Sequence, residues 1–285
     1  MDIAVLSDIH GNHIALERCV KYALQQGIGR FFFLGDYAGE LACPERVTEY
    51  LRALSRRYDC RFIRGNKEDY WLGYRAGGET GWKDYDSTTG SLVYSYGRLT
   101  KEDLDFYETL PISDVVTFPE LPPLTICHGS PFKVNEKLLP GEERTYAVMD
   151  AAETQLILCG HTHIQGKIVH GGKTVLNAGS VGVALKSGGM AQFLILHGEN
   201  GVWSERFVSL EYDVDSVIRE LYEEKLNEHA PCWCLVTERL LRNGRVAHGS
   251  VLSRAMELCR AETGSCVWPQ IPERFWQRAV KELLL

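Results

Sequence analysis

Ile3-Ala4-Val5-Leu6-Ser7-Asp8-Ile9-His10-Gly11-Asn12 begins as an apolar run and ends in a carboxylate and an imidazole. A short aliphatic run of this kind reads as a buried strand. Asn12 can then cap a helix, and Leu16, Cys19, Val20, Ala23 and Leu24 recur at the i, i+3, i+4 spacing of one helical face. Gly27 and Gly29 end that helix before a second apolar run, Arg30–Leu34. Strand, helix and strand in succession predict an α/β fold.

The same punctuation recurs downstream. Arg30–Leu34 runs into Gly35-Asp36, and Arg61–Arg64 into Gly65-Asn66. Leu124–Cys127 leads to His128-Gly129, and Leu156–Cys159 to Gly160-His161-Thr162-His163. Lys173–Leu176 and Gln192–Leu196 read as further strands, and Pro44 to about Arg57 as a second helix with proline in its first turn. Ligands of an open α/β sheet gather beyond the carboxyl ends of its strands, so these strand ends deliver polar groups to one place. Asp-x-His or Gly-Asp alone is a weak signal, whereas the ordered set is specific. Asp8 and His10 are two apart, as are His161 and His163, which in extended backbone places each pair on one side. Glycines beside these residues let the backbone turn and approach closely. Carboxylate, amide and imidazole together suit borderline divalent ions: Mn above all, with Fe, Zn, Co or Ni also accommodated. Two such ions about 3.5–4 Å apart would activate water and clamp a phosphoryl group.

Composition narrows the class. The chain has 285 residues, 45% hydrophobic and 24% charged, with a formal net charge of -7. That is the make-up of a soluble globular protein. It has no long Lys/Arg run for a phosphate backbone, which excludes stable nucleic-acid binding. No apolar run approaches the roughly 20 residues of a membrane span. The start lacks a secretory pattern and the nine cysteines are scattered, so reduced thiols and a cytoplasmic location are expected. Cys232-Trp233-Cys234 has no zinc-like second pair, and reads as buried small residues.

The series Asp8-x-His10, Gly35-Asp36, Gly65-Asn66, His128-Gly129 and Gly160-His161-Thr162-His163 resembles the calcineurin-like metallophosphoesterase superfamily over residues 1–209. The resemblance implies two packed β-sheets flanked by helices. It also implies one metal on Asp8, His10, Asp36 and His163, and a second on Asp36, Asn66, His128 and His161, bridged by Asp36. Ser7-Asp8-Ile9-His10-Gly11-Asn12 and Asn177-Ala178-Gly179-Ser180 look like the small bacterial phosphodiesterase branch. The run Gly65-Asn66-Lys67-Glu68-Asp69, with aromatics following, is similar to bacterial diadenosine tetraphosphate hydrolases of this fold. The expected chemistry is in-line attack of a metal-bridging hydroxide, with Asp36, Asn66, His128, Arg64 and Lys67 at the reacting centre and Arg64, Lys67 and Asn12 on the substrate.

Two departures bear on substrate. Asp36 is followed by Tyr37-Ala38-Gly39-Glu40-Leu41, without the Asp-Arg-Gly of the protein phosphatases, so a phosphoprotein phosphatase is not expected. Lys67 stands where the family has the histidine that protonates the leaving group. A lysine with a pKa near 10 is a poor general acid at neutral pH, but it can neutralise a leaving phosphate. The alternative for Lys67 is a solvated rim position, and for Arg64 a structural ion pair. Phosphodiesters and phosphoanhydrides of nucleotides are therefore expected over alkyl monoesters. Tyr70, Trp71, Tyr74, Trp82, Tyr85, Tyr94 and Tyr96 crowd a segment at about 69–110, read as an insertion covering the site, either stacking a purine or packing the insertion. Residues 210–285 read as a helical extension with helices at 214–226, 250–261 and 273–284 among them, open to dimerisation, closure of the site or support of the core. The competing functions are a metal-binding nucleotide sensor and a protein-interaction scaffold on the same fold.

Overall fold

The N-terminal apolar run forms strand β1 (Asp2–Leu6), with Ile3 to Leu6 fully buried because both faces of the strand are covered. The computed structural model describes residues 1–284. Helix α1 (His13–Gln25) is capped by Asn12, whose side chain accepts from Ala15 N at 3.0 Å. Then follow β2 (Arg30–Phe33), α2 (Pro44–Ser55) and β3 (Asp59–Phe62). Residues 69–110 run through most of α3 (Asn66–Ala76), a loop at 77–89, α4 (Gly90–Arg98) and α5 (Lys101–Thr109). The last starts at a reciprocal cap: Thr100 N donates to Asp103 at 2.8 Å, and Asp103 N donates back to the Thr100 hydroxyl at 3.2 Å.

A second series comprises β4 (Ser113–Phe118), β5 (Leu121–Cys127), α6 (Glu143–Ala151), β6 (Leu156–Cys159), β7 (Gly166–His170), β8 (Lys173–Asn177), β9 (Ala191–Glu199) and β10 (Val202–Leu210). The strands make two five-stranded sheets, ordered β10-β9-β1-β2-β3 and β4-β5-β6-β8-β7. β1, β2 and β3 run parallel, with Val5 opposite Phe32 and Phe32 opposite Arg61. β5, β6 and β8 are parallel as well. Between the sheets Val5, Phe32 and Leu34 pack against Leu124, Ile126 and Leu158. Each such side chain contributes about 1.5–3 kcal/mol on burial. The sandwich matches the fold expected from the sequence. β4, β7 and β10 were not expected; each is a sheet edge whose residues alternate between cover and solvent.

Beyond β10 the chain continues as α7 (Val214–Glu223), α8 (Leu226–His229), α9 (Pro231–Asn243), α10 (His248–Thr263) and α11 (Glu273–Leu284). Their apolar cluster, with Trp233, Leu240, Phe275 and Trp276, takes in Leu41, Ala42, Cys43 and Val183 of the sandwich. The extension therefore rides on the loop that follows Asp36. Cys232 and Cys234 are buried free thiols in that cluster.

Candidate metal centre

The carboxyl ends of β1, β2, β3, β5 and β6 meet at one edge of the two sheets, and the expected ligands project from the loops there. The pairs Asp8/His10 and His161/His163 do not share a side through strand alternation. Asp8, His10, Asp36, His161 and His163 have φ of 55°, 53°, 54°, 66° and 58°, the left-handed region. For residues other than glycine this costs about 1–3 kcal/mol each and persists only when neighbours over-determine it. Here they do: Asp8 N donates to Gly35 O at 3.1 Å, His10 N to Asp36 O at 2.9 Å, and Gly182 N to Asp8 O at 3.0 Å. At Gly160 an added Cβ would overlap Ser7 Oγ and Asp8 Oδ2, so only glycine lets the loops close to this distance.

Two ligand sets form around Asp36. In the first, His10 Nε2 lies 3.1 Å from His163 Nε2, 3.7 Å from Asp8 Oδ1 and 3.6 Å from Asp36 Oδ2. In the second, His128 Nε2 lies 3.0 Å from Asn66 Oδ1 and 3.6 Å from Asp36 Oδ1. Each oxygen of Asp36 thus faces one set. The rings and carboxylates are oriented from behind. His128 Nδ1 is 2.7 Å from the Leu34 carbonyl, which makes it the protonated nitrogen and leaves Nε2 a lone pair for a cation. Asp8 Oδ2 accepts from Ser7 Oγ at 2.6 Å and from His161 N at 2.9 Å, turning Oδ1 to the centre. Asn177 donates to Gly160 O at 2.6 Å and to the Thr162 hydroxyl at 3.0 Å, so its place in Asn-Ala-Gly-Ser is to hold the loop of His161 and His163.

Asp8 Oδ1 and His161 Nε2 are buried without a hydrogen-bond partner. Such atoms are rare unless something else satisfies them, and both belong to the expected ligands. Asp8, His10 and His163, and again Asp8, Asp36 and His128, place one ligand atom each within 4.8 Å of one another. The donor set fits two divalent ions. Burial raises the Asp8 carboxyl, but His163 and His128 outweigh it and hold it well below its ordinary range. Burial is the largest influence on His161 and pushes it down to about 4, which leaves a neutral imidazole free to coordinate.

The remaining expected residues separate. Lys67 is not a solvated rim residue: its Nζ is 2.7 Å from Glu40 Oε1 and 5.5 Å from the centre of the Trp233 ring. Burial lowers its pKa, but Glu40 and Asp36 outweigh this and keep it above the ordinary value, so the ammonium stays charged. Arg64 Nε lies 2.9 Å from Asp69 Oδ1, an ion pair outside the cavity. Asn12 does not reach substrate space: besides capping α1, its amide donates to Gly182 O at 3.0 Å, and it is buried. Glu68, next after Lys67, accepts from Gly65 N at 2.7 Å, Asp36 N at 2.9 Å and Tyr37 N at 3.0 Å, bolting the loop of Asp36 to that of Asn66.

A cavity of about 370 Å³ lies over the ligands, and Trp233, Leu240, His248 and Leu252 of the extension close it. None of the aromatics of 69–110 lines it. Trp71 is buried and donates to Leu92 O at 3.0 Å, and Tyr74 stacks on Trp82 at 4.1 Å. Trp71 belongs to the sandwich core and Tyr94 to the core of the extension, where its hydroxyl donates to Ala42 O at 3.0 Å, so these rings are packing residues and the cover comes from the extension. Glu40, Trp233 and His248 are the site residues that sequence reasoning missed. Glu40 carried a signal, an acid between glycine and an apolar run four residues after Asp36. Trp233 and His248 sit in amphipathic helices that carry no mark of a site. A separate cavity of about 280 Å³ between α2 and α5 holds none of the ligands.

Residues 1–201 match the family described as the calcineurin-like phosphoesterase superfamily domain. An uncharacterized protein of Methanocaldococcus jannaschii is 27% identical over 252 residues, spanning 81% of this chain and 94% of that one. The crystal structure of a hypothetical protein from Pyrococcus horikoshii has a TM-score of 0.72 at 21% identity, covering 86% of this chain and 99% of that one. A metallophosphoesterase from Sphaerobacter thermophilus has a TM-score of 0.62 at 22% identity, covering 79% and 95%. Both structures share the fold.

Proposed function

The chain belongs to the calcineurin-like phosphoesterase superfamily and is a metal-dependent phosphoester hydrolase, and we propose that it uses two metal ions to cleave phosphodiester or phosphoanhydride bonds of a small nucleotide. The observation that carries the reading is the division of Asp36 between two ligand sets, one through Oδ2 and one through Oδ1. The chemistry that a bound divalent pair supplies is activation of water at neutral pH and neutralisation of charge on the phosphoryl oxygens. The protein residues set the rest. His128 is locked as the Nδ1–H tautomer by Leu34, and Asn66 is held at the N-terminus of α3, where backbone N–H groups favour an anion.

Lys67 lines the cavity next to the ligand Asn66, and its charge is held by Glu40. A permanently charged ammonium neutralises a leaving phosphate but gives up a proton poorly at neutral pH. The leaving group must then depart as a stable anion, which favours anhydrides and acidic diesters over alkyl monoesters. The test loads the full chain with Mn²⁺ and compares bis-p-nitrophenyl phosphate, ADP and glycerol phosphate. The first two are expected to turn over at least tenfold faster than the alkyl monoester. Faster hydrolysis of glycerol phosphate overturns the substrate assignment.

A further inference from the structure

We infer that the C-terminal extension is the specificity wall of this site, and that the Trp233–His248 pair receives one flat ring of a mononucleotide-sized substrate. The inference rests on the phosphohydrolase reading and names the substrate that the same cavity admits.

The wall is built as one piece. Trp233 and His248 stack with centroids 4.2 Å apart and planes at 23°. The Thr237 hydroxyl donates to Trp233 O at 2.9 Å, so it accepts from His248 Nε2 at 2.8 Å. That assignment leaves Nδ1 of His248 as an acceptor. Trp276 meets Trp233 edge-on at 5.9 Å from behind. Below the ring, Lys67 Nζ lies 5.5 Å from its centre, and Lys67 follows the ligand Asn66 directly. Trp233 is 8% exposed, so a base meets the part of its ring that lines the cavity and stands beside the cation that meets its phosphate. Leu240 and Leu252 complete apolar sides to a space of about 370 Å³. Pockets for small molecules run from about 300 to 1,000 Å³, so this one suits a single nucleotide. The extension shares its core with Leu41–Cys43, so this wall is fixed to the metal loop.

The test measures binding of AMP and of inorganic phosphate to the Mn²⁺-loaded full chain by calorimetry, for the native protein, Trp233→Ala and Leu252→Trp. Thermal melts confirm that each variant is folded. Phosphate reports the metal floor and AMP reports floor plus wall. Stacking of one base on an aromatic ring is worth about tenfold or more in affinity. AMP is expected to bind at least tenfold more tightly than phosphate in the native chain. Both variants are expected to lose most of that advantage while phosphate affinity stays within about twofold. Equal affinity for AMP and phosphate in the native chain, or an advantage unchanged in both variants, overturns the wall. The two readings fail separately: a native chain that keeps the AMP advantage yet hydrolyses no phosphoester sinks the hydrolase reading alone.

Discussion

His10 and His163 point their Nε2 atoms at one another across 3.1 Å, although 153 residues separate them. Two imidazole lone pairs facing each other repel unless a proton or a cation lies between them. With Asp8 Oδ1 3.1 Å from the same His163 nitrogen, three ligand atoms converge on one point. Chelation should therefore destabilise the protein. At ion concentrations a thousandfold above Kd, binding contributes about 4 kcal/mol, or about 10 °C in Tm for a chain of this size. Melts in EDTA and after reloading with Mn²⁺ check this, and superimposable melts contradict it.

Glu68 takes the load of three backbone donors. Glu68→Ala leaves Gly65 N, Asp36 N and Tyr37 N without their acceptor in a buried loop. The expected loss is about 3 kcal/mol or more, read from the urea midpoint, with Glu68→Gln losing less because it keeps one carbonyl oxygen. A loss below about 1 kcal/mol in Glu68→Ala would show that water replaces the carboxylate without difficulty.

Lys67 and Glu40 are a buried pair, 8% and 4% exposed. Removing one partner strands a buried charge, at about 3–5 kcal/mol, whereas replacing both with apolar residues is close to neutral. Lys67→Met is thus expected to be far less stable than the double variant Lys67→Met, Glu40→Met. A double-mutant cycle with no coupling rejects the pair as a unit.

His248 gives the stability a pH dependence. Burial is the largest influence and pushes its pKa from 6.5 down to about 4; Glu40 opposes the shift and Lys67 adds to it. The unfolded chain binds a proton that the folded chain refuses, so this stability is present above about pH 6.5 and is lost as pH falls toward 4. His161, pushed down to about 4 as well, acts in the same window and direction in the absence of metal. In chelated protein, His248→Gln should flatten the fall in urea midpoint between those values. A variant profile parallel to the native one contradicts the assignment.

The candidate cluster was legible because metal chemistry demands particular residue types at strand ends, and Asp8, His10, Asp36, Asn66, His128, His161 and His163 all lie there. The sandwich was legible through its central strands, whose apolar runs are buried on both faces. β4, β7 and β10 were not, because their half-exposed residues mix polar and apolar types as loops do. The geometry of the Asp8/His10 pair was misread as strand alternation, because left-handed backbone at a non-glycine residue leaves no trace in composition. The cover was placed on the aromatics of 69–110, which instead pack into the cores of the sandwich and of the extension. Trp233 and His248 reach the site only through tertiary packing of α9 and α10, and helical periodicity says nothing about what a helix shelters.

The most direct measurement is a Mn²⁺ titration of the chelated full chain, following bis-p-nitrophenyl phosphate hydrolysis alongside bound metal, with Asp36→Asn in parallel. Because Asp36 belongs to both ligand sets, activity is expected to appear as the second equivalent binds, and to fall at least a hundredfold in the variant. Two bound ions with no turnover in the native chain, or full turnover in Asp36→Asn, would contradict a two-metal phosphohydrolase and favour a metal-binding sensor on the same fold.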